Sequence, residues 1–321
     1  MLPELTLERP TSLAEAARLA ARDGARILGG GTDLIPNLRH GLGAPRMLVS
    51  LERVAGLDRL ERTDQSLHIG AGVTLARLAR ANELDGPYAA IREAASVVAG
   101  PAHRTVATLG GNLCLDTRCV YYNQSEWWRR ANGYCLKHRG EVCHVAPQGK
   151  RCRAAFSGDL APALMALGAS ASIAGADGVR RCALESLYRD DGAAHLALGG
   201  GEILASVEFA APAPGTRSGY LKARARGAID FPLAGVAMAL RVEQSSIAAL
   251  RVALTGTNPA PLLLSGTAAL LGRAPDPQTA AALGKLVQKQ AGPVRTTVTA
   301  ADWRRQVAAT YAQRLLRTLA P

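Results

Sequence analysis

Five of the six cysteines fall in one window, Cys114, Cys119, Cys135, Cys143 and Cys152, spaced C-x4-C-x15-C-x7-C-x8-C. Thiolates are soft ligands that suit zinc or iron–sulfur better than hard cations. The paired C-x2-C knuckles of structural zinc sites are missing, and so are the common ferredoxin spacings. Spacing alone therefore leaves a metal centre and scattered free thiols both open. Clustering favours a centre, because Cys182 is the only cysteine elsewhere. Tyr134, Trp127 and Trp128 lie where they can shield it from water.

Glycine-rich turns form the second constellation. Gly29-Gly-Gly-Thr-Asp33 follows a predicted strand at 26–28 and precedes a helical turn at 34–39. Glycine admits positive φ and lets N–H groups crowd an anion. The spacing is neither the Rossmann fingerprint nor a P-loop. Alone it reads as a plain turn. A second site, Gly110-Gly-Asn112 within Thr108-Leu-Gly-Gly-Asn112, immediately precedes the cysteine window. Two strand-borne glycine turns in different lobes can clamp a pyrophosphate from both sides. A dinucleotide follows, without choosing FAD over NAD. Gly199-Gly-Gly201 reads instead as a hairpin turn, since strands flank it and no helix follows.

The elements around these sites are legible in part. Ser12 and Glu15 make a capping box for a helix carrying Leu13, Ala16, Ala17 and Ala20 on one face. Strands are expected at 47–51 and 67–72. Thr74 caps a helix, and a further helix over 88–98 is ended by Gly100-Pro101. The stretch 161–167 fits helix or strand. Strands at 169–173, 179–183 and 203–209 suggest an antiparallel sheet, and Ala211-Pro-Ala-Pro-Gly215 is the clearest linker. Strands at 220–222, 236–242 and 247–254 follow, then helices at 268–271, 279–290 and 302–319. Trp303, Val307, Tyr311 and Leu315 share a packing face on the last.

At 321 residues the chain can bury a core and form two or three domains. The formal charge of +12 admits nucleic acid, a membrane surface or an acidic protein as partner. No zinc-finger or RNA-binding motif accompanies it, and the basic residues are spread along the chain, so neither nucleic acid nor membrane is expected. From Arg118 to Arg153 there are eight Lys or Arg and two acids, Glu126 and Glu141. A solvated basic rim there would attract an acidic electron donor. No secretory signal or membrane-length apolar run is seen, which places the protein in the cytoplasm.

Gly29-Gly-Gly-Thr-Asp-Leu34, Ile69-Gly-Ala-Gly-Val-Thr-Leu75 and Thr108-Leu-Gly-Gly-Asn112, in this order, resemble the FAD-binding subunits of the molybdenum hydroxylases. Gly201-Glu-Ile-Leu204 and Tyr220-Leu-Lys222, with Arg226 and Asp230, resemble that family's later marks. The resemblance implies an α+β chain. Its two-lobed FAD-binding domain, of the vanillyl-alcohol-oxidase-like type, comprises an α/β lobe at 1–55 and a second lobe at 56–214. A separate α+β C-terminal domain spans 215–321. FAD would be held by Leu28, Gly29, Gly30, Gly31, Thr32, Asp33 and Leu34, and by Thr108, Gly110, Gly111 and Asn112. Asp116 and Asp159 would be further contacts, and Leu204 and Lys222 would lie near the flavin ring.

The cysteine window is an insertion, 115–157, at a point where family members are much shorter. Asn123-Gln-Ser-Glu-Trp-Trp128, Asn132-Gly-Tyr-Cys-Leu-Lys137 and Cys143-His144 resemble the flavin subunits of the 4-hydroxybenzoyl-CoA reductases. Those subunits carry a [4Fe-4S] cluster there. The resemblance assigns Cys119, Cys135, Cys143 and Cys152 as ligands and leaves Cys114 and Cys182 as small buried hydrophobes. It implies a large molybdopterin subunit, a small [2Fe-2S] subunit, ferredoxin as donor and a dimer of heterotrimers. A hydroxylase with another substrate and a structural zinc module are the competing readings.

Overall fold

A computed structural model describes residues 4–294 and 299–321 of the chain. The described residues form three sheets. The first holds β1 (Thr6–Glu8), β2 (Ala25–Leu28) and β3 (Met47–Ser50), parallel in the order β1-β3-β2. Helix Leu13–Ala20 makes the crossover from β1 to β2. Ser12 caps it, accepting from Glu15 N–H, while the Glu15 carboxylate reaches back to Thr11 N–H rather than to the cap itself.

The second sheet holds β4 (Leu60–Arg62), β5 (Ser66–Gly70), β6 (Ser170–Gly175), β7 (Gly178–Ala183) and β8 (Ile203–Ala210). It is antiparallel, in the order β4-β5-β8-β6-β7. β8 therefore enters the middle of the sheet between β5 and β6. Gly199–Gly201 is not the hairpin turn expected from its flanks, because β7 and β8 are not neighbours. It is a turn leading into a central strand, with Gly201 at φ +81°.

The third sheet is a meander of β9 (Arg217–Ala223), β10 (Ala234–Glu243), β11 (Ser246–Thr255) and β12 (Leu262–Leu263). Helices Pro277–Gln290 and Trp303–Leu319 cover one face and share an aliphatic core with it. The other face contributes Tyr220, Ala237, Ala239 and Ala253 to the large core of the second lobe. The C-terminal domain thus has a core of its own and also closes its neighbour's.

Helix Leu160–Ala166 lies at that junction, with all seven residues buried. A helix apolar all round has no stripe to read, which is why its sequence fits helix and strand equally. Pro101 differs from expectation too. It opens a new short helix, Pro101–Arg104, where its missing N–H is harmless. Among the described residues no helix is long and apolar enough to cross a membrane.

Candidate functional site

The first glycine loop runs from the end of β2 into helix Leu34–Arg39. Among the described residues, no backbone N–H from Gly29 to Asp33 donates to an acceptor in the chain. Several donors are thus presented together on one glycine turn, the arrangement that binds phosphate. Gly31 takes φ +72°, where a side chain would be strained.

Thr108–Asn112 is not the strand-borne turn expected. Thr108 has extended backbone and its hydroxyl accepts from Gly111 N–H, capping a short helix, Leu109–Leu113. The cap and tertiary contacts outweigh glycine's weak helix propensity. Leu109 N–H goes to Val73 O, Gly110 N–H to Ala71 O and Asn112 N–H to Thr108 O. The N–H groups expected to grip a pyrophosphate from this side are therefore engaged.

The two glycine sites nonetheless meet. A Cβ on Gly30 would collide with the Val106 carbonyl and come within 2.9 Å of Ala107 Cα. One on Gly29 would sit 2.9 Å from Thr108 Oγ1. Gly110 has Ala71 Cβ at 2.9 Å from the same imagined atom. Gly111 differs: it is exposed, and its nearest obstacle is Thr108 Oγ1 at 3.2 Å. Gly29, Gly30 and Gly110 are small because protein abuts them. Gly111 is small beside open space, where a ligand's bulk would lie. Leu204 is buried on β8; the next residue, Ala205, accepts from Ala71 N–H, so β8 backs this site.

Asp159 and Lys222 come together. Both side chains are nearly inaccessible, and Lys222 Nζ lies 3.0 Å from Asp159 Oδ2. Tyr220 OH donates to Asp159 Oδ1 at 2.7 Å, and Lys222 also donates to Val97 O. Burial pushes the Asp159 carboxyl up, against the opposing pull of Lys222 and Tyr220. This triad pins the C-terminal sheet to the start of helix Leu160–Ala166. Tyr220 was visible in the sequence as a strand residue within the Tyr220-Leu-Lys222 mark; nothing local marked its hydroxyl as the aspartate's partner.

The insertion sits against the first lobe. Its base is closed by the bridge between Arg118 and Ala155. Arg118 makes an ion pair with Asp33, donates to Asn37 and stacks 4.5 Å over the Phe231 ring. Desolvation lowers its pKa to about 10. Asp33 of the first glycine loop is thereby tied to the residue beside Cys119. Arg129 is buried, donating to Gly41 O and Glu126.

Cys119, Cys135, Cys143 and Cys152 line one cavity, together with Tyr121, Tyr122, Leu136, Lys137, His144 and Val145. Four cysteines spread from position 119 to position 152 are gathered around a single space. Cys114 lies outside it against the large core, its thiol pushed up to about 12 by burial. Cys182 sits in β7 opposite Ala171. The aromatic shield differs from the expected one. Trp127 is 69% exposed, and Tyr121 and Tyr122 line the cavity instead. The basic rim is also partly internal: Arg129 and Lys137 are buried charges. Asp116, expected at the flavin, pairs with Lys137 at 2.7 Å. No three His, Cys, Asp or Glu among the described residues group tightly enough for a single ion.

The site is thus a two-lobed frame with a free-donor glycine loop, joined through Arg118 to a thiol-lined cavity. The family profile described as the FAD binding domain in molybdopterin dehydrogenase matches residues 3–212. That described as the CO dehydrogenase flavoprotein C-terminal domain matches residues 219–319. The chain belongs to the FAD-binding subunits of the molybdenum hydroxylase family. The aldehyde oxidoreductase FAD-binding subunit PaoB of Escherichia coli is 32% identical over 262 residues, 78% of this chain and 80% of the relative. The carbon monoxide dehydrogenase medium chain of Afipia carboxidovorans is 28% identical over 258 residues, 79% of this chain and 75% of its own. A solved structure of carbon monoxide dehydrogenase from Hydrogenophaga pseudoflava overlays with a TM-score of 0.82 over 100% of both chains. At 21% identity that likeness shows the fold alone.

Proposed function

We propose that this chain is the electron-relay subunit of a molybdenum-containing 4-hydroxybenzoyl-CoA reductase, holding FAD between its lobes and a [4Fe-4S] cluster in its insertion. The observation that carries the reading is the cavity lined by Cys119, Cys135, Cys143 and Cys152, tied through Arg118 to the phosphate loop. When bound, the two groups would carry electrons from a reduced ferredoxin toward [2Fe-2S] and molybdenum centres in partner subunits.

The chain's own residues fit both groups. Gly29 to Asp33 offer unpaired N–H donors to a diphosphate. Gly111 leaves space beside them. Asp159, Lys222, Thr108, Gly110 and Asn112 position that frame rather than grip the phosphates. Four cysteines suit a cluster whose ligands are thiolates. Burial pushes the Cys119 thiol up, and Cys152 up to about 11; a bound metal would favour the thiolate instead. The exposed Trp127 and nearby arginines support docking of an acidic donor. Large molybdopterin and small [2Fe-2S] partners, a dimer of heterotrimers and a cytoplasmic location belong to the same proposal.

Anaerobic purification of the whole complex tests it. Expected are FAD, iron and sulfide in this subunit and turnover of 4-hydroxybenzoyl-CoA with reduced ferredoxin or viologen. Zinc without iron or sulfide would defeat the cluster. Cluster and flavin present but no turnover would assign the subunit to a hydroxylase of another substrate, as the aldehyde and carbon monoxide relatives suggest.

A further inference from the structure

Lys137 is the one lysine or arginine among the residues lining the cysteine cavity. Its side chain is 6% exposed. Three oxygens hold its ammonium: Asp116 Oδ1 at 2.7 Å, Thr117 O at 3.1 Å and Thr117 Oγ1. Tyr122 covers it further, with the ring centroid 4.7 Å from Nζ. A lysine in water sweeps many rotamers; this one is fixed, and its position is part of the cavity wall.

The ion pair is unsymmetrical about the cavity. Asp116 is not among the lining residues, and its side chain is 41% exposed. Water screens the carboxylate more than it screens the ammonium. The cavity therefore feels a net positive charge, although the pair is formally neutral. Arg129 stands 5.7 Å from the same Tyr122 ring, but Glu126 neutralises it and neither lines the cavity.

We propose that Lys137 sets the reduction potential of the cluster in this cavity, raising it, with Asp116 as the opposing charge. This rests on the cluster reading above. Reduction adds one electron and one negative charge to a thiolate-ligated cage, and no bond forms or breaks. A fixed cation at the wall stabilises the reduced cage more than the oxidised one. Asp116 also lies on the covalent route between the two sites, following helix Leu109–Leu113 by three residues and preceding Cys119 by three.

The test is a dithionite titration of the whole complex, followed by EPR, on wild type, Lys137→Met, Lys137→Arg and Asp116→Asn. Iron and sulfide are measured on each. Lys137→Met is expected to move the midpoint to more negative potential, Lys137→Arg to hold it near wild type, and Asp116→Asn to move it positive. Opposite signs at the two ends of one ion pair are not produced by loosened packing. An unchanged midpoint in Lys137→Met at full iron content overturns the proposal, as do equal shifts in Met and Arg. Where Lys137→Met loses its cluster, an unshifted Asp116→Asn overturns it instead. A wild type without iron or sulfide defeats the cluster reading itself, separately from the role of Lys137.

Discussion

The flavin frame and the cysteine insertion are stabilised in opposite ways. The frame is built on β-strands and helices around one large core that includes Leu67, Ile69, Leu109, Leu160 and Leu164. The insertion has one short helix, Glu126–Ala131, and a satellite core of Leu42, Tyr122 and Cys135. Even there, Leu42 comes from the frame. The insertion turns tightly around Cys135: Tyr134 and Arg139 both take φ +60°, a conformation unfavourable for side-chain-bearing residues. His138 N–H and Gly140 N–H both return to Cys135 O. A segment with little apolar surface to bury and strained turns at a thiol would draw its order from ligation if it holds the proposed cluster. The frame needs no such help.

The largest predicted effect breaks that contrast at its source. Cys135→Ser, or removal of iron by a chelator, should abolish the cluster and leave amides 119–152 exchanging close to the unfolded rate. Flavin absorbance should persist. Hydrogen exchange read beside the visible spectrum checks both. Equal loss of flavin would mean that the Arg118–Asp33 ion pair makes the two regions one cooperative unit.

Lys222→Met tests the frame. It strands a buried aspartate with only Tyr220 OH for company, and breaking a buried pair costs about 3–5 kcal/mol. The denaturation midpoint of the purified complex should fall accordingly. A Lys222→Met, Asp159→Asn double variant should recover part of the loss, since no unpaired charge remains. A single variant as stable as wild type would show that the pair is not the pin between the domains.

What was legible in the sequence follows from how local each cause is. The Ser12 and Thr74 caps lie within three residues of their partners, and both helices start where expected. The glycine loops could be placed because no other residue tolerates such close approach. The four cavity cysteines were separated from Cys114 and Cys182 by resemblance, and the geometry groups the same four. The rest depended on distant neighbours. Lys137 and Arg129 look like surface charges in sequence, and distant partners such as Asp116, Thr117 and Gly41 make them internal. Helix Leu109–Leu113 hides behind two glycines, because its N–H partners at Ala71 and Val73 lie some forty residues earlier.

Two glycines sharpen the comparison inside the frame. Gly30→Val should fail by packing, since its side chain meets the Val106 carbonyl, so stability and flavin are lost together. Gly111→Val should keep the fold and lose flavin, because its Cβ meets only Thr108 Oγ1 at 3.2 Å. A flavin titration beside thermal melting separates the two. Gly111→Val binding flavin as tightly as wild type would remove the ligand from that face.

The smallest effect comes from Thr108→Ala. The hydroxyl accepts from Gly111 N–H at 3.1 Å, and losing such a cap costs about 1 kcal/mol. It also frees that N–H, the one donor on this side whose partner is a side chain rather than a carbonyl. The two consequences oppose each other. The helix is less stable when empty, yet Gly111 N–H becomes available to an anion. Thermal stability of flavin-free protein should therefore fall, while flavin affinity falls by a smaller factor than in Gly111→Val. Affinity dropping as far as in Gly111→Val would mean that the hydroxyl itself holds the ligand, making the second turn a gripping element rather than a support for the first.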